Sequence, residues 1–242
     1  MWIKNDLLGY PKYIIYQNPE MFSFSIDSLL LAHYINVRKG VKNILDLGTG
    51  NGSIPIYLTL KTKAQITGIE IQEEVLELAK KSVLENNLAN QINFINGDLT
   101  NLKNYPLASY DLICSNPPFF KVDEKSNLND SPFKTVARHE VRVTLESLIK
   151  TASKLLKNGG YFYLIHLPER LKECFMLLEK YNLEPKRMKL VYPSKNKKAN
   201  HVLLEIKKSN NKGNLLIDPP LYIYENKEWT KEILEIYNFG RD

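Results

Sequence analysis

Residues 115–120 read SNPPFF. Pro117 and Pro118 have no N–H to donate, so neither a helix nor a central strand runs through them. Yet the stretch follows YDLIC, which has the character of a buried strand. It therefore sets one carboxamide, Asn116, and two rings, Phe119 and Phe120, on a stiff turn at the edge of a core. A second stretch with chemical content is DLGTGNG at 46–52. Its glycines, Gly48, Gly50 and Gly52, let the backbone turn tightly and approach a ligand closely. Glu70 follows Gly50 by 20 residues, the spacing at which a carboxylate meets a ribose diol. Asp98, in NGD, either folds an Asx turn on itself or faces the same ligand. The loop and its acids also suit a dinucleotide, but the glycines run G-x-G-x-G and not G-x-G-x-x-G.

Positioning these groups requires alternating strands and helices. Apolar runs predict strands at 42–48, 64–70, 91–97, 109–115 and 161–167. Between them, helical spacing appears at 73–87, where Val75, Leu78, Ala79 and Val83 share one side, and at 144–160, with Thr144 as cap and glycine as stop. A further helix, begun by a proline, is predicted at 168–181, and a shorter one within 229–237. IDSLLLAHYI (26–35) reads as a helix with Asp27 at its N-cap, preceded by short strands in 10–25. Residues 183–193 and 201–208 can pair as a closing hairpin around SKNKKAN. Residues 121–134 have no periodicity and read as a loop. The expected fold is α/β: a Rossmann-like, seven-stranded, mostly parallel sheet with helices on both faces and an antiparallel last strand. One domain is expected over 1–242, with 1–36 as an extension packed on it. Ligands in such sheets sit at the carboxyl ends of the strands, which is where the glycine loop, Glu70, Asp98 and SNPPFF all fall.

With three signals at three successive strand ends, the chain resembles the class I S-adenosylmethionine-dependent methyltransferases. The resemblance implies that the loop passes the methionine half of the cofactor, that Glu70 binds the ribose hydroxyls and that Asp98 meets the adenine amine. Asp46 either bridges loop amides or reaches the cofactor's amino group through water. NPPF is similar to the [N/D/S]-P-P-[Y/F/W] motif of amino methyltransferases acting on adenine N6, cytosine N4 or glutamine amide. An exocyclic amine attacking a methyl group needs acceptors for its two N–H bonds, a stacking surface, and rigidity. The resemblance assigns these to the Asn116 side-chain carbonyl, the Pro117 backbone carbonyl, the Phe119 ring and the prolines. Phenylalanine stands where tyrosine is commoner; it lacks the hydroxyl and keeps the face. FSFSIDSLLLAHY, NPPFF, ARHE and the basic hairpin extend the similarity to the small bacterial tRNA(Val) adenosine N6-methyltransferases, over nearly the whole chain. That implies S-adenosylmethionine as cofactor, no metal, and an anticodon-loop adenosine of valine tRNA as substrate. It also places Asp27 either near the methionine end of the cofactor or simply at a helix N-cap.

The 242 residues carry a net charge of +6, unevenly distributed. Lys186 to Lys212 holds nine Lys/Arg against Glu205, a segment of +8 on a remainder of about −2. Such a stripe suits a polyanion or is a solvated face. In the first case Lys195, Lys197 and Lys198 hold RNA phosphates, and Arg138 and His139 hold phosphates or the base. No apolar run approaches the roughly 18 residues of a membrane span, and MWIKNDLLGY is not a signal peptide. Two cysteines make no disulfide framework, so a reducing cytoplasm is expected, with the protein a monomer or weak homodimer. A protein-glutamine N5-methyltransferase and a ribosomal RNA adenine-N6 methyltransferase are the competing readings.

Overall fold

The computed structural model describes residues 2–7, 10–18, 26–118, 143–209, 211 and 213–239. The core is a sheet in which strands and helices alternate: β3 (Asn43–Leu47), α2 (Ser53–Leu58), β4 (Gln65–Glu70), α3 (Glu73–Glu85), β5 (Ile92–Asn96) and β6 (Tyr110–Ser115). After them come α4 (Leu145–Leu155), β7 (Leu156–His166), α5 (Leu171–Lys180), β8 (Leu183–Tyr192) and β9 (His201–Lys208). The strand order is β8-β9-β7-β6-β3-β4-β5, parallel except for β9, which runs antiparallel to both neighbours. This is the expected mostly parallel sheet with an antiparallel last strand. Two short strands the sequence did not suggest, β10 (Leu216–Ile217) and β11 (Leu221–Tyr222), lengthen it by pairing with β8. They are only two residues each, too short for any periodicity to show.

Both sheet faces are buried. One carries Leu45, Leu47, Ile113, Phe162 and Leu164 toward α4 and α5. The other carries Ile44, Ile66, Leu112, Tyr163 and Ile165 toward α1 (Ile26–Tyr34), α2 and α6 (Lys231–Tyr237). An N-terminal hairpin, β1 (Ile3–Leu7) with β2 (Tyr10–Gln17), lies outside the sheet. It is tied to α3 through Asn86, whose side chain accepts from Ile14 N at 2.8 Å and donates to Ile14 O at 2.6 Å.

Two boundaries differ from expectation. The helix predicted over 144–160 ends at Leu155, although Thr144 does cap it by accepting from Ser147 N. Another turn would need the Ser153 carbonyl; that oxygen and the Leu156 carbonyl instead take Lys208 Nζ, at 2.7 and 2.8 Å. Leu156 then enters β7, and Gly159, at φ +80°, absorbs the irregular register against β6. α1 begins at Ile26, so Asp27 stands in its first turn and is not the N-cap.

The carboxyl ends of β3, β4, β5, β6, β7 and β8 share one edge. Three elements meet there: the loop after β3, the turn after β6, and the 193–200 connection after β8.

Candidate active site

The loop after β3 is docked on the end of β4 through its backbone. Gly48 N and Thr49 N both donate to Ile69 O, at 3.0 and 2.9 Å. Gly50 N donates to Glu70 Oε2 at 3.0 Å, while Gln72 N donates to Oε1 at the same distance. Glu70 thus pins the loop to the start of α3. Burial pushes its carboxyl above the ordinary range, and these backbone N–H groups pull it back. Gly48 and Gly50 have φ of +71° and +57°, with open space where a Cβ would stand, so the backbone there is bare toward the cavity.

That cavity has a volume of about 400 Å³, inside the range of roughly 300–1,000 Å³ usual for small-molecule sites. Its wall includes Gly48, Gly50, Glu70 and Asp98 on one side and Asn116, Pro117 and Pro118 on another, with Asp27 and Ser28 of α1 completing it. Asp98 Oδ1 accepts from Thr100 N and Oγ1, both at 2.7 Å, so it forms the Asx turn and lines the cavity as well. Asn51, also in the wall and 6% exposed, has an Nδ2 without a partner among the described residues. An orphaned buried donor costs about 1–3 kcal/mol, and a polar ligand in the cavity would relieve it. The bare glycine backbone, two acids and an unmet donor fit a nucleoside cofactor with a charged amino-acid tail.

Two expected cofactor residues are not in the wall. Asp46 is fully buried beneath the loop, accepting from Thr49 Oγ1 at 2.7 Å and Cys114 Sγ at 3.4 Å. It bridges side chains, not loop amides, and burial pushes its carboxyl up to about 7. Gly52 is the N-cap of α2 at φ +79°, and a Cβ there would come within 2.9 Å of the Phe94 ring and 3.2 Å of Ala79. Its glycine serves helix packing. Gly52→Ala should lower unfolding free energy by roughly 1–3 kcal/mol, from left-handed backbone strain and overpacking. A denaturant midpoint equal to that of the unchanged protein would contradict this.

The turn after β6 is held from two sides. Ser115 Oγ donates to Leu47 O at 2.7 Å, locking the end of β6 to the end of β3. Asn116 Nδ2 donates to Ser28 Oγ at 3.1 Å. Neither Ser28 nor Asn51 was singled out from sequence; SIDSLLLA and GTGNG contained them, but nothing in the spacing marks a serine on a distant helix as a neighbour of Asn116. Phe119, Arg138, His139 and the 121–134 loop lie outside the described residues.

The 193–200 connection stands at the same edge, and His201 Nε2 at its end is 3.7 Å from Asp27 Oδ1. The basic stripe, however, is not one patch. Lys195 pairs with Glu225 at 2.8 Å, Lys189 with Glu232 at 2.6 Å and Arg187 with Asp218 at 2.8 Å. Lys207 and Lys208 lie at the far end of β9, at the opposite edge. Lys197 and Lys198 have no ion pair among the described residues and stand at the ligand edge.

The chain is similar over most of its length to known proteins. A family described as "Methyltransferase domain" matches residues 39–240. A tRNA1(Val) (adenine(37)-N6)-methyltransferase of Porphyromonas gingivalis is 30% identical over 208 residues, 83% of this chain and 80% of that one. Its counterpart in Flavobacterium psychrophilum is 27% identical over 235 residues, 95% and 97% of the two chains. Among solved structures, a predicted O-methyltransferase, Atu636 of Agrobacterium tumefaciens, superposes with a TM-score of 0.70 at 22% identity, covering 89% of this chain and 96% of that one. At that identity the likeness is one of fold.

Proposed function

We propose that this chain, which belongs to the methyltransferase-domain family and within it to the tRNA1(Val) (adenine(37)-N6)-methyltransferases, methylates the exocyclic N6 of adenosine 37 in the anticodon loop of valine tRNA. The chain is an S-adenosylmethionine-dependent tRNA adenine-N6 methyltransferase. The observation that supports methyl transfer to an amine is that Asn116 and Pro117 line the same cavity as the glycine loop, Glu70 and Asp98; the names of the relatives support adenosine 37 of valine tRNA as its place.

When bound, S-adenosylmethionine supplies an electrophilic methyl group. The chain's own residues do the rest. Glu70 would take the ribose hydroxyls and Asp98 the adenine amine, and the bare backbone at Gly48 and Gly50, with Asp27, would hold the amino-acid tail. Asn116 Oδ1 and the Pro117 carbonyl accept the two N–H bonds of the target amine, which directs its lone pair at the methyl group. Phe119 gives the base a stacking face. No strong base is needed, because the amine sheds its proton after attack. Residues 1–242 act as one unit, a monomer or weak homodimer in the cytoplasm; no helix among the described residues is long and apolar enough to cross a membrane.

The RNA is held by charge that adds no sequence preference. Lys197→Ala and Lys198→Ala should each reduce the slope of log affinity against log salt by roughly 0.7–0.9, equally for valine and unrelated tRNAs. Lys195→Ala should change it less, because its charge already has Glu225 as partner. An unchanged slope in the Lys197/Lys198 double variant would move the RNA path to Arg138, His139 and the 121–134 loop. Base selection comes from an unstacked loop nucleotide at Phe119. The functional test is nuclease digestion and mass spectrometry of tRNA, from cells lacking the gene and after incubation with protein and cofactor. N6-methyladenosine at position 37 of valine tRNA, lost in the first and restored in the second, is expected. Methyl transfer to ribosomal RNA or to a protein glutamine, with tRNA unmodified, would overturn it.

A further inference from the structure

We propose that Ser28 is a positioning residue that holds the Asn116 carboxamide with its carbonyl oxygen toward the target amine. This rests on Asn116 being the amine's acceptor, as above. The two ends of a carboxamide have almost the same shape, and only its partners decide which way it faces. Turned the wrong way, its NH2 would meet the N–H of the amine, donor against donor. A serine hydroxyl can pair with either end, but the amine's N–H can pair only with Oδ1; with Oδ1 turned to the amine, Nδ2 is the end that faces Ser28, and it donates to Ser28 Oγ at 3.1 Å. Ser28 is 9% exposed, so water competes weakly for that hydroxyl.

Both ends of this bond ride on fixed elements. The turn bearing Asn116 is anchored by the Ser115–Leu47 hydrogen bond. The helix bearing Ser28 packs on α2, β7 and α6. Its C-terminus is closed by Lys61, whose Nζ donates to the carbonyls of Ala32, His33 and Ile35 at 2.8, 2.5 and 2.8 Å. Burial pulls the Lys61 ammonium down to about 8, and three carbonyls compensate it. α1 also precedes residue 39, where the match to the methyltransferase domain begins. The serine that holds the amide therefore lies outside the matched methyltransferase domain but within the span shared with the Flavobacterium psychrophilum relative; held between two anchored elements, the amide is preorganised before any substrate arrives.

The test uses Ser28→Ala and the nearly isosteric Ser28→Cys, whose sulfur is a weak acceptor. One arm needs no methyl acceptor: the side-chain ¹⁵NH₂ resonances of Asn116, identified by their loss in Asn116→Asp, are followed in the cofactor-bound protein. In the unchanged protein they should be well dispersed and slow to exchange with solvent; in both Ser28 variants they should collapse toward free-amide positions and exchange faster. The second arm is kinetic: kcat on tRNA should fall about tenfold in both variants, the effect of one lost hydrogen bond of about 1–1.5 kcal/mol. Cofactor affinity and KM for tRNA should stay near their original values. Unmoved Asn116 resonances would overturn the proposal, as would a loss of cofactor affinity in step with kcat, which marks a merely structural role. Failure of the functional reading looks different: the unchanged protein would transfer no methyl group to tRNA while the resonances still answered to Ser28.

Discussion

Asn116→Ala is expected to cut turnover on tRNA roughly 30- to 1,000-fold, equivalent to about 2–4 kcal/mol of barrier, the usual cost of losing one group aimed at the reacting atoms. Cofactor affinity should hardly change. The separation is built into the geometry: Asn116 stands at the end of β6, while the loop that cradles the cofactor is held by Ile69 and Glu70 at the end of β4. Deleting the carboxamide leaves those bonds in place. Single-turnover kinetics with a calorimetric binding constant decide the matter. A variant with full turnover would show that the amide is a spectator, and the acceptor would then have to be sought at the Pro117 carbonyl alone.

The second large effect is expected at Glu70, and glutamine is the sharper substitution there. Both carboxylate oxygens already accept backbone N–H groups, and a ribose diol would add hydroxyl donors to the same oxygens. Every partner is a donor. Glutamine keeps the shape but must turn an NH2 toward one of them, so it loses an acceptor and sets donor against donor. Hydrogen bonds to a charged group are worth about 1.5–3 kcal/mol, so S-adenosylmethionine should bind roughly 10- to 100-fold more weakly to Glu70→Gln. S-adenosylhomocysteine should weaken in parallel, because it carries the same ribose. Undiminished affinity for both would mean that Glu70 only fastens the loop. A loss for one and not the other would put its contact at the sulfur end.

The sheet was legible because its strands are short apolar runs between turn residues, and because each chemical signal fell at a strand end where this architecture binds ligands. Glu70, Asp98, Gly48, Gly50 and Asn116 were singled out in that way, and all of them line the cavity. Gly52 stands outside the cavity wall, and a glycine crowded by packing looks the same as one bare toward a ligand in a G-x-G-x-G run; the nearness of Phe94 sets it apart. The burial of Asp46 was not legible, because spacing says nothing of depth. It is sealed below the loop, where a thiol and a hydroxyl meet it. The basic stripe was legible only in part, for another reason. Counting charge along the chain ignores acids that the fold brings in from elsewhere, and Asp218, Glu225 and Glu232 come from well beyond the segment. β1 and the short strands β10 and β11 gave no usable pattern. Ser28 was invisible because its bond to Asn116 spans 88 residues.

The packing of α1 also has a meaning in time. This helix is synthesised before the surfaces that receive it, which belong to β7 and α6. Chains are synthesised at about 5–20 residues per second and fold as their units become complete. The glycine loop and the strands beneath it can therefore assemble, and take up cofactor, while α1 still has only part of its seat. Tyr57 Oη donating to Ile236 O at 3.2 Å and the stacking of Tyr57 with Phe239 close that seat only when α6 arrives. Until then α1, and with it Ser28 beside Asn116, rests on α2 and β7 alone.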